Sequence, residues 1–394
     1  MLQPELIVPG GSPEKMDFAF KYGADTVYMG LTGFSMRSRS NDFDKEKLKD
    51  SIDKAHALGK KIYITCNIYP HNSKLEAFRE HIKYLKEIKP DALIVANPGV
   101  FSIIKEEWPD ARIHISVQAN AINYGDVKFW YEQGAKRVVL PRELNLNEIK
   151  EIHEKVPEIE LEAFVHGAIC VAYSGRCLMS QYMTHRDANQ GICAQSCRWK
   201  YKAYLEEEMR PGEYMPIEED EHGSYIMNSR DICALPYLKE LKDAGVVGFK
   251  VEGRSKSIYY LSTVTNVYRR AIDNGCEYDP DLLTELLKTA NRGYSPGFLV
   301  GTFTENDIHF EKNEPKQTHK FIGVVREHGS VEVRNKIEKG AEVEVFSPSG
   351  VFDAKIESMF DKDEEIDAAH GGAGERIFKF DKEVSEGAFI RQRC

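Results

Sequence analysis

The 394-residue chain has no apolar run approaching the ~20 residues needed to cross a bilayer. Its start, MLQPELIVPGGSPEK, lacks the basic stretch and apolar core of a secretory signal, so a cytoplasmic protein with no membrane partner is expected. Basic residues are not in excess. Lys and Arg number 53 against 63 Asp and Glu, a net charge of −10. A nucleic-acid partner would therefore have to be met by a local groove, not by the field of the whole molecule. No HExxH helix and no GxSxG elbow occurs, which removes the common zinc-protease and serine-hydrolase signatures. The eight cysteines include no CxxC pair, the usual knuckle of a structural zinc site. Apolar residues at 42% and charged residues at 29% exclude collagen, coiled coil and wholesale disorder.

What is present is an alternation. Short Val- and Ile-rich runs at Glu5–Val8, Asp25–Met29, Lys61–Thr65, Asp91–Val95, Arg112–Val117, Arg137–Leu140, Glu160–Val165 and Val247–Val251 read as strands. Several are apolar on both faces, as in a parallel sheet covered by helices. Helices lie between them. Ser12-Pro13-Glu14 opens one that ends near Gly23, Lys45–Leu58 ends at Gly59, and Leu75–Ile88, Val127–Glu132 and Leu146–Val156 follow. Eight such units with right-handed crossovers predict an α/β fold, a (β/α)8 TIM-like barrel over residues 1–304, with an open doubly wound sheet as the alternative. The connection between strands seven and eight, about 167–245, is far longer than a normal loop of roughly 2–6 residues. A linker is expected at 305–315. Residues 316–394 then carry six short strands with Gly, Pro, Ser and Asp turns, a small C-terminal antiparallel β-barrel domain.

Five cysteines, Cys170, Cys177, Cys193, Cys197 and Cys233, fall in the long insertion. In a reducing compartment such a cluster suggests metal or redox chemistry before disulfides. Spacing alone leaves an iron–sulfur cluster, zinc or plain buried thiols open. Five thiols compete for four places, with Cys193 and Cys197 the ambiguous pair. Asn67, Asn97, Gln118, Asn120, Arg142, Glu143, His166, Lys250, Glu252 and Arg254 sit where strands end, so a barrel would gather them on one face. Arg142 and Arg254 suit carboxylate binding. His166 suits acid–base work or a place in the core. Glu252 could pair with either arginine, and Tyr173 and Arg176 could touch substrate or tune a cluster.

The run Glu162-Ala-Phe164-Val-His-Gly167-Ala168-Ile169-Cys170, continued by Gly175, Cys177, Met179 and Ser180, resembles the signature of the collagenase-like peptidase family U32. Val8-Pro9-Gly10-Gly11, Ser116–Asn120, Leu140–Glu143 and Lys250–Arg254 extend the resemblance over nearly the whole chain. It implies a [4Fe–4S] cluster on Cys170, Cys177, Cys193 and Cys233. Cys197, Tyr173–Cys177 and His185–Gly191 look like the branch that hydroxylates the wobble uridine of tRNA to 5-hydroxyuridine with prephenate as co-substrate. On that reading the partners are the tRNA anticodon loop and prephenate, with a homo- or hetero-oligomer possible. His166, Arg142, Glu252, Arg254 and Tyr173 would be catalytic, and Arg37, Arg39, Arg186, Arg198 and Lys200 would steer phosphates. Two alternatives stand beside it: a peptidase with a cysteine nucleophile, and a non-catalytic RNA-binding or assembly module.

Overall fold

Eight parallel strands close into a barrel: β1 (Glu5–Pro9), β2 (Thr26–Met29), β3 (Lys61–Cys66), β4 (Ala92–Val95), β5 (Ile113–Ile115), β6 (Arg137–Val139), β7 (Glu160–Ala168) and β8 (Val246–Val251). Closure comes from β8 pairing with both β1 and β7. The computed structural model describes residues 3–36, 42–170, 172–173, 176–199, 204–206, 209, 211–212, 214–216, 229–301, 316–372 and 374–394. The expected linker at 305–315 lies outside the described residues, as do Arg37, Arg39, Ser174, Gly175 and Lys200.

Local signals start the helices. Ser12 accepts from the Lys15 N–H at 3.2 Å and Pro13 opens α1 (Pro13–Lys21). Asn97, expected at the site, is instead the cap of α4 (Pro98–Glu107), after α2 (Lys45–Ala57) and α3 (Leu75–Ile88). Then come α5 (Tyr124–Glu132) and α6 (Leu146–Lys155), the latter with a full capping box of Asn145 and Glu148. The insertion contains α7 (Met179–Thr184), and α8 (Leu238–Asp243) leads into β8. A strand within the insertion, Asp231–Cys233, runs antiparallel to the end of β7, with Cys233 opposite His166.

The helix α9 (Ile258–Asp273) is buried on nearly every side, between the barrel and the second domain; α10 (Pro280–Leu286) follows. Six antiparallel strands, from His319–Val325 to Phe389–Arg393, form that domain, and Glu342–Ser347 pairs with Gly350–Asp361 to close it. The two domains share a core in which Phe18 and Tyr22 of α1 and Tyr259 of α9 meet Phe346 and Phe389. The Tyr22 hydroxyl donates to the Gly387 carbonyl at 2.9 Å. Buried Arg391 pairs with Glu285 at 2.5 Å. The β-domain is thus fixed against the outer helices and leaves the mouth of the barrel open.

Candidate active site at the barrel mouth

Alternate residues on a strand share a face, and three pairs or triplets at the carboxyl ends obey that rule. Thr65 lies in β3 with Asn67 just past it, Ser116 follows β5 with Gln118 in the turn after it, and Lys250 lies in β8 with Glu252 and Arg254 beyond it. All of them line one cavity of ≈ 140 Å³, together with Tyr28, Phe164, Arg142 and, at its edge, Cys170. An apolar cavity of about 150 Å³ takes up one benzene ring, so this one accommodates a single ring-sized group.

Its charge is cationic. Lys250 donates to Glu162 Oε1 at 2.6 Å and sits 4.3 Å from the centre of the Tyr28 ring. Arg254 donates through Nη1 to Ser35 Oγ and the Met36 carbonyl, both at 2.9 Å. The Arg142 guanidinium lies 3.6 Å over the Phe164 ring. Its Nε is buried without a hydrogen-bond partner, and no acidic side chain among the described residues pairs with it. Gln118 Nε2 is also buried and unpartnered. Glu252 is the one carboxylate in the lining; Tyr28 donates to it at 3.3 Å. Burial, reinforced by the Glu252 charge, raises the Tyr28 hydroxyl well above its ordinary range, so it stays a neutral donor. Such a lining favours an anionic, ring-sized ligand.

Beneath the cavity lies a sealed ionic layer. Arg137 pairs with Glu5 at 2.7 Å and with Glu162 at 3.2 Å, and Glu162 holds Lys250 from below. Burial would raise the Glu5 carboxyl, but Arg137, the Thr26 hydrogen bond and Lys61 outweigh it and bring it down to about 2. The signature glycine has a reason here. Gly167 has φ +110°, and a Cβ on it would run into the Glu252 carbonyl oxygen.

His166 does not join the cavity. It is fully buried, with its ring against Tyr260, Tyr268 and Tyr294. Nδ1 stands 3.3 Å from the Tyr268 hydroxyl, and Nε2 has no partner. Burial lowers it to about 4, so it is a neutral core imidazole at pH 7. No hydrogen bond joins it to a cysteine among the described residues. Tyr173 is exposed and also stands outside the cavity lining. Asn120 caps the short turn after Gln118 in a left-handed conformation.

All eight cysteines are free thiols. Burial raises the Cys197 thiol, Arg198 pulls it down, and Cys170, Cys193 and Cys177 push it up. Cys233 lies on the strand beside β7, opposite His166. It is buried 3.7 Å from the Tyr268 hydroxyl, and burial raises its thiol. Among the described residues no three His, Cys, Asp or Glu side chains are close enough to hold one metal ion.

The insertion is tied to the loop between β3 and α3. The Tyr69 N–H donates to the Asn189 carbonyl at 3.2 Å, Lys74 to Gln190 at 3.1 Å, and Asn189 Nδ2 to the Cys177 carbonyl at 3.3 Å. Of the residues expected to steer phosphates, Arg186 is exposed and Arg198 is half-buried, its charge acting on Cys197 and Asp231. Tyr28, Thr65 and Phe164 are cavity residues that the sequence did not single out. The only signal was their inward phase on predicted strands.

The family model for peptidase family U32 matches residues 11–309, and the model for the U32 C-terminal domain matches 317–391. The chain is 41% identical over 405 residues to tRNA hydroxylation protein P of Escherichia coli K12, covering 91% of this chain and 89% of the relative. It is 36% identical over 405 residues to tRNA hydroxylation protein P1 of Bacillus subtilis 168, covering 99% and 95%. A Porphyromonas gingivalis protein named collagenase is 31% identical over 371 residues, covering 90% and 83%.

Proposed function

The chain belongs to peptidase family U32, and from that premise we propose that it is an RNA-modifying enzyme of tRNA hydroxylation. The finer reading is conversion of wobble uridine to 5-hydroxyuridine with prephenate as co-substrate and a [4Fe–4S] cluster. Identity of 36–41% to named tRNA hydroxylation proteins over more than nine-tenths of this chain supports the coarser reading. The observation that carries the finer one is the convergence of Arg142, Lys250 and Arg254 on a one-ring cavity bordered by Cys170. Prephenate is a six-membered ring with two carboxylates, and bidentate arginine is the side chain best matched to a carboxylate. Arg142 and Arg254 would hold those groups. Lys250 adds a third positive charge, and Phe164 and Ile94 exclude water from the ring. The target base, unstacked from the RNA, would meet the ligand at the mouth.

The cluster would be held by Cys170, Cys177 and Cys193, with Cys197 or Cys233 as the fourth ligand, and would supply one-electron chemistry beside the cavity. Mass spectrometry of tRNA nucleosides tests the function. A strain lacking the gene should lose 5-hydroxyuridine and regain it with the wild-type chain; an unchanged nucleoside profile ends the proposal. Iron analysis of the anaerobically purified protein should give about 4 Fe per chain, the content of one four-iron cluster. Replacing the fourth ligand by serine, tried as Cys197→Ser against Cys233→Ser, should lower that figure in one variant only.

A further inference from the structure

A second hollow adjoins the first. It has a volume of ≈ 530 Å³ and lies between the β3–α3 loop and the cysteine insertion, lined by Tyr69, His71, Arg176 and Leu178 among others, with one carboxylate, Asp187, which accepts from the Asn189 N–H at 2.8 Å. The Tyr69 hydroxyl donates to the Gln118 carbonyl, and Gln118 lines the cavity described above. That hydrogen bond links the walls of the two hollows. Arg176 is exposed, and its guanidinium sits 5.6 Å from the centre of the Tyr69 ring. Neither Arg176 nor Arg186 has a carboxylate partner among the described residues, in a chain whose net charge is −10.

The flank of this groove is apolar and open. Leu178 is 72% exposed and Tyr182 is 86% exposed. The Tyr182 N–H donates to the Leu178 carbonyl at 2.9 Å, so the two side chains stand one helical turn apart on the same flank. Large apolar side chains left this bare beside unpaired arginines are the composition of a surface that stacks bases and follows a phosphate chain. A protein partner would call for a broader apolar patch than this narrow strip, which the exposed Arg176 and Arg186 flank.

We propose that this groove holds a nucleotide next to the target in single-stranded RNA, with Tyr182 and Tyr69 as stacking surfaces and Arg176 and Arg186 along the phosphates. The proposal rests on the tRNA reading for the identity of the RNA, and on the groove alone for the mode of binding. Its test is the affinity of the full chain for a fluorescein-labelled anticodon stem-loop, with a fully paired duplex of the same length as control. Tyr182→Ala should weaken stem-loop binding roughly ten-fold while Tyr182→Phe retains it, as expected for loss of one stacked base. Arg186→Gln should reduce the slope of log affinity against log salt by about 0.7, the contribution of one contact to a single-stranded phosphate. Duplex affinity should not change with either Tyr182 variant. Equal stem-loop affinity for Tyr182→Ala and Tyr182→Phe, or equal losses on stem-loop and duplex, would overturn the proposal. The two claims can fail separately. An unaltered nucleoside profile in the deletion strain with Tyr182-dependent stem-loop binding refutes the hydroxylation reading alone. Restored 5-hydroxyuridine with Tyr182-independent binding refutes the groove alone.

Discussion

Arg137 opens β6 and Arg142 follows its carboxyl end, so the two arginines stand five residues apart at opposite ends of one strand and meet opposite surroundings. Arg137, in the lower layer, is enclosed by the carboxylates of Glu5, Glu160 and Glu162 and lies over the Tyr63 ring. Arg142, in the upper layer, rests on Phe164, has no carboxylate among the described residues and keeps a bare Nε. Both are costly to bury, since a guanidinium loses its hydration in either place. The lower layer offsets that cost within the protein. The upper layer leaves it to be offset by whatever enters the cavity. The barrel is thus built on a satisfied ionic floor that fixes Lys250 from below and frees the ends of β6 and β8 to face a ligand.

Removal of the floor should have the largest effect. Arg137→Met strands two buried acids, Glu5 and Glu162, and breaking a buried pair from one side costs about 3–5 kcal/mol. A urea denaturation midpoint measures it. A loss under about 1 kcal/mol would mean that the floor is no more than a surface pair in its energetics. Arg142→Gln should reverse the pattern. Its folding midpoint should stay near that of the wild type, while 5-hydroxyuridine formation in a complemented deletion strain drops roughly ten- to a hundred-fold. That is the loss expected for charge-assisted hydrogen bonds worth about 1.5–3 kcal/mol. If Arg142→Gln instead destabilised the fold as much as Arg137→Met, the distinction between the two layers would be void.

Much of this arrangement was legible in the residue order, and the exceptions have physical causes. The eight barrel strands were readable because burial on both faces demands unbroken Val and Ile. Lys250, Glu252 and Arg254 were readable as a set because every second residue on a strand end faces the same way. His166 was not. Its environment is made by Tyr260, Tyr268 and Tyr294, which arrive from about 100 residues downstream on α9 and beyond. No local pattern reports a ring closed in by distant partners. Tyr28 and Phe164 were hidden for the converse reason: an aromatic on a strand looks the same whether it packs a core or walls a cavity.

The smallest predicted effect uses acid to separate the ionic floor from the neutral histidines. The Glu5 carboxyl is lowered to about 2 in the folded chain. Its contribution is therefore fully present above the ordinary carboxylate range near 4.5 and fades only as pH falls towards 2. Stability lost between pH 6.5 and 5 must come from groups whose ordinary value lies higher. His81 and His166 are such groups, lowered chiefly by burial to about 3 and about 4. Each stays neutral in the fold while its unfolded counterpart takes up a proton, so stability falls with pH below 6.5 and is not regained. His81 is the cleaner probe. Its ring stacks on Phe34 at 4.1 Å, and neither nitrogen has a partner, so a phenyl ring can take its place without stranding a donor. His81→Phe should leave stability near pH 8 almost unchanged and raise it at pH 5 by about 2 kcal/mol, one and a half pH units of proton linkage. Urea midpoints at several pH values read the difference. Parallel acid limbs for His81→Phe and the wild type would show that His81 does not carry the loss of stability below pH 6.5.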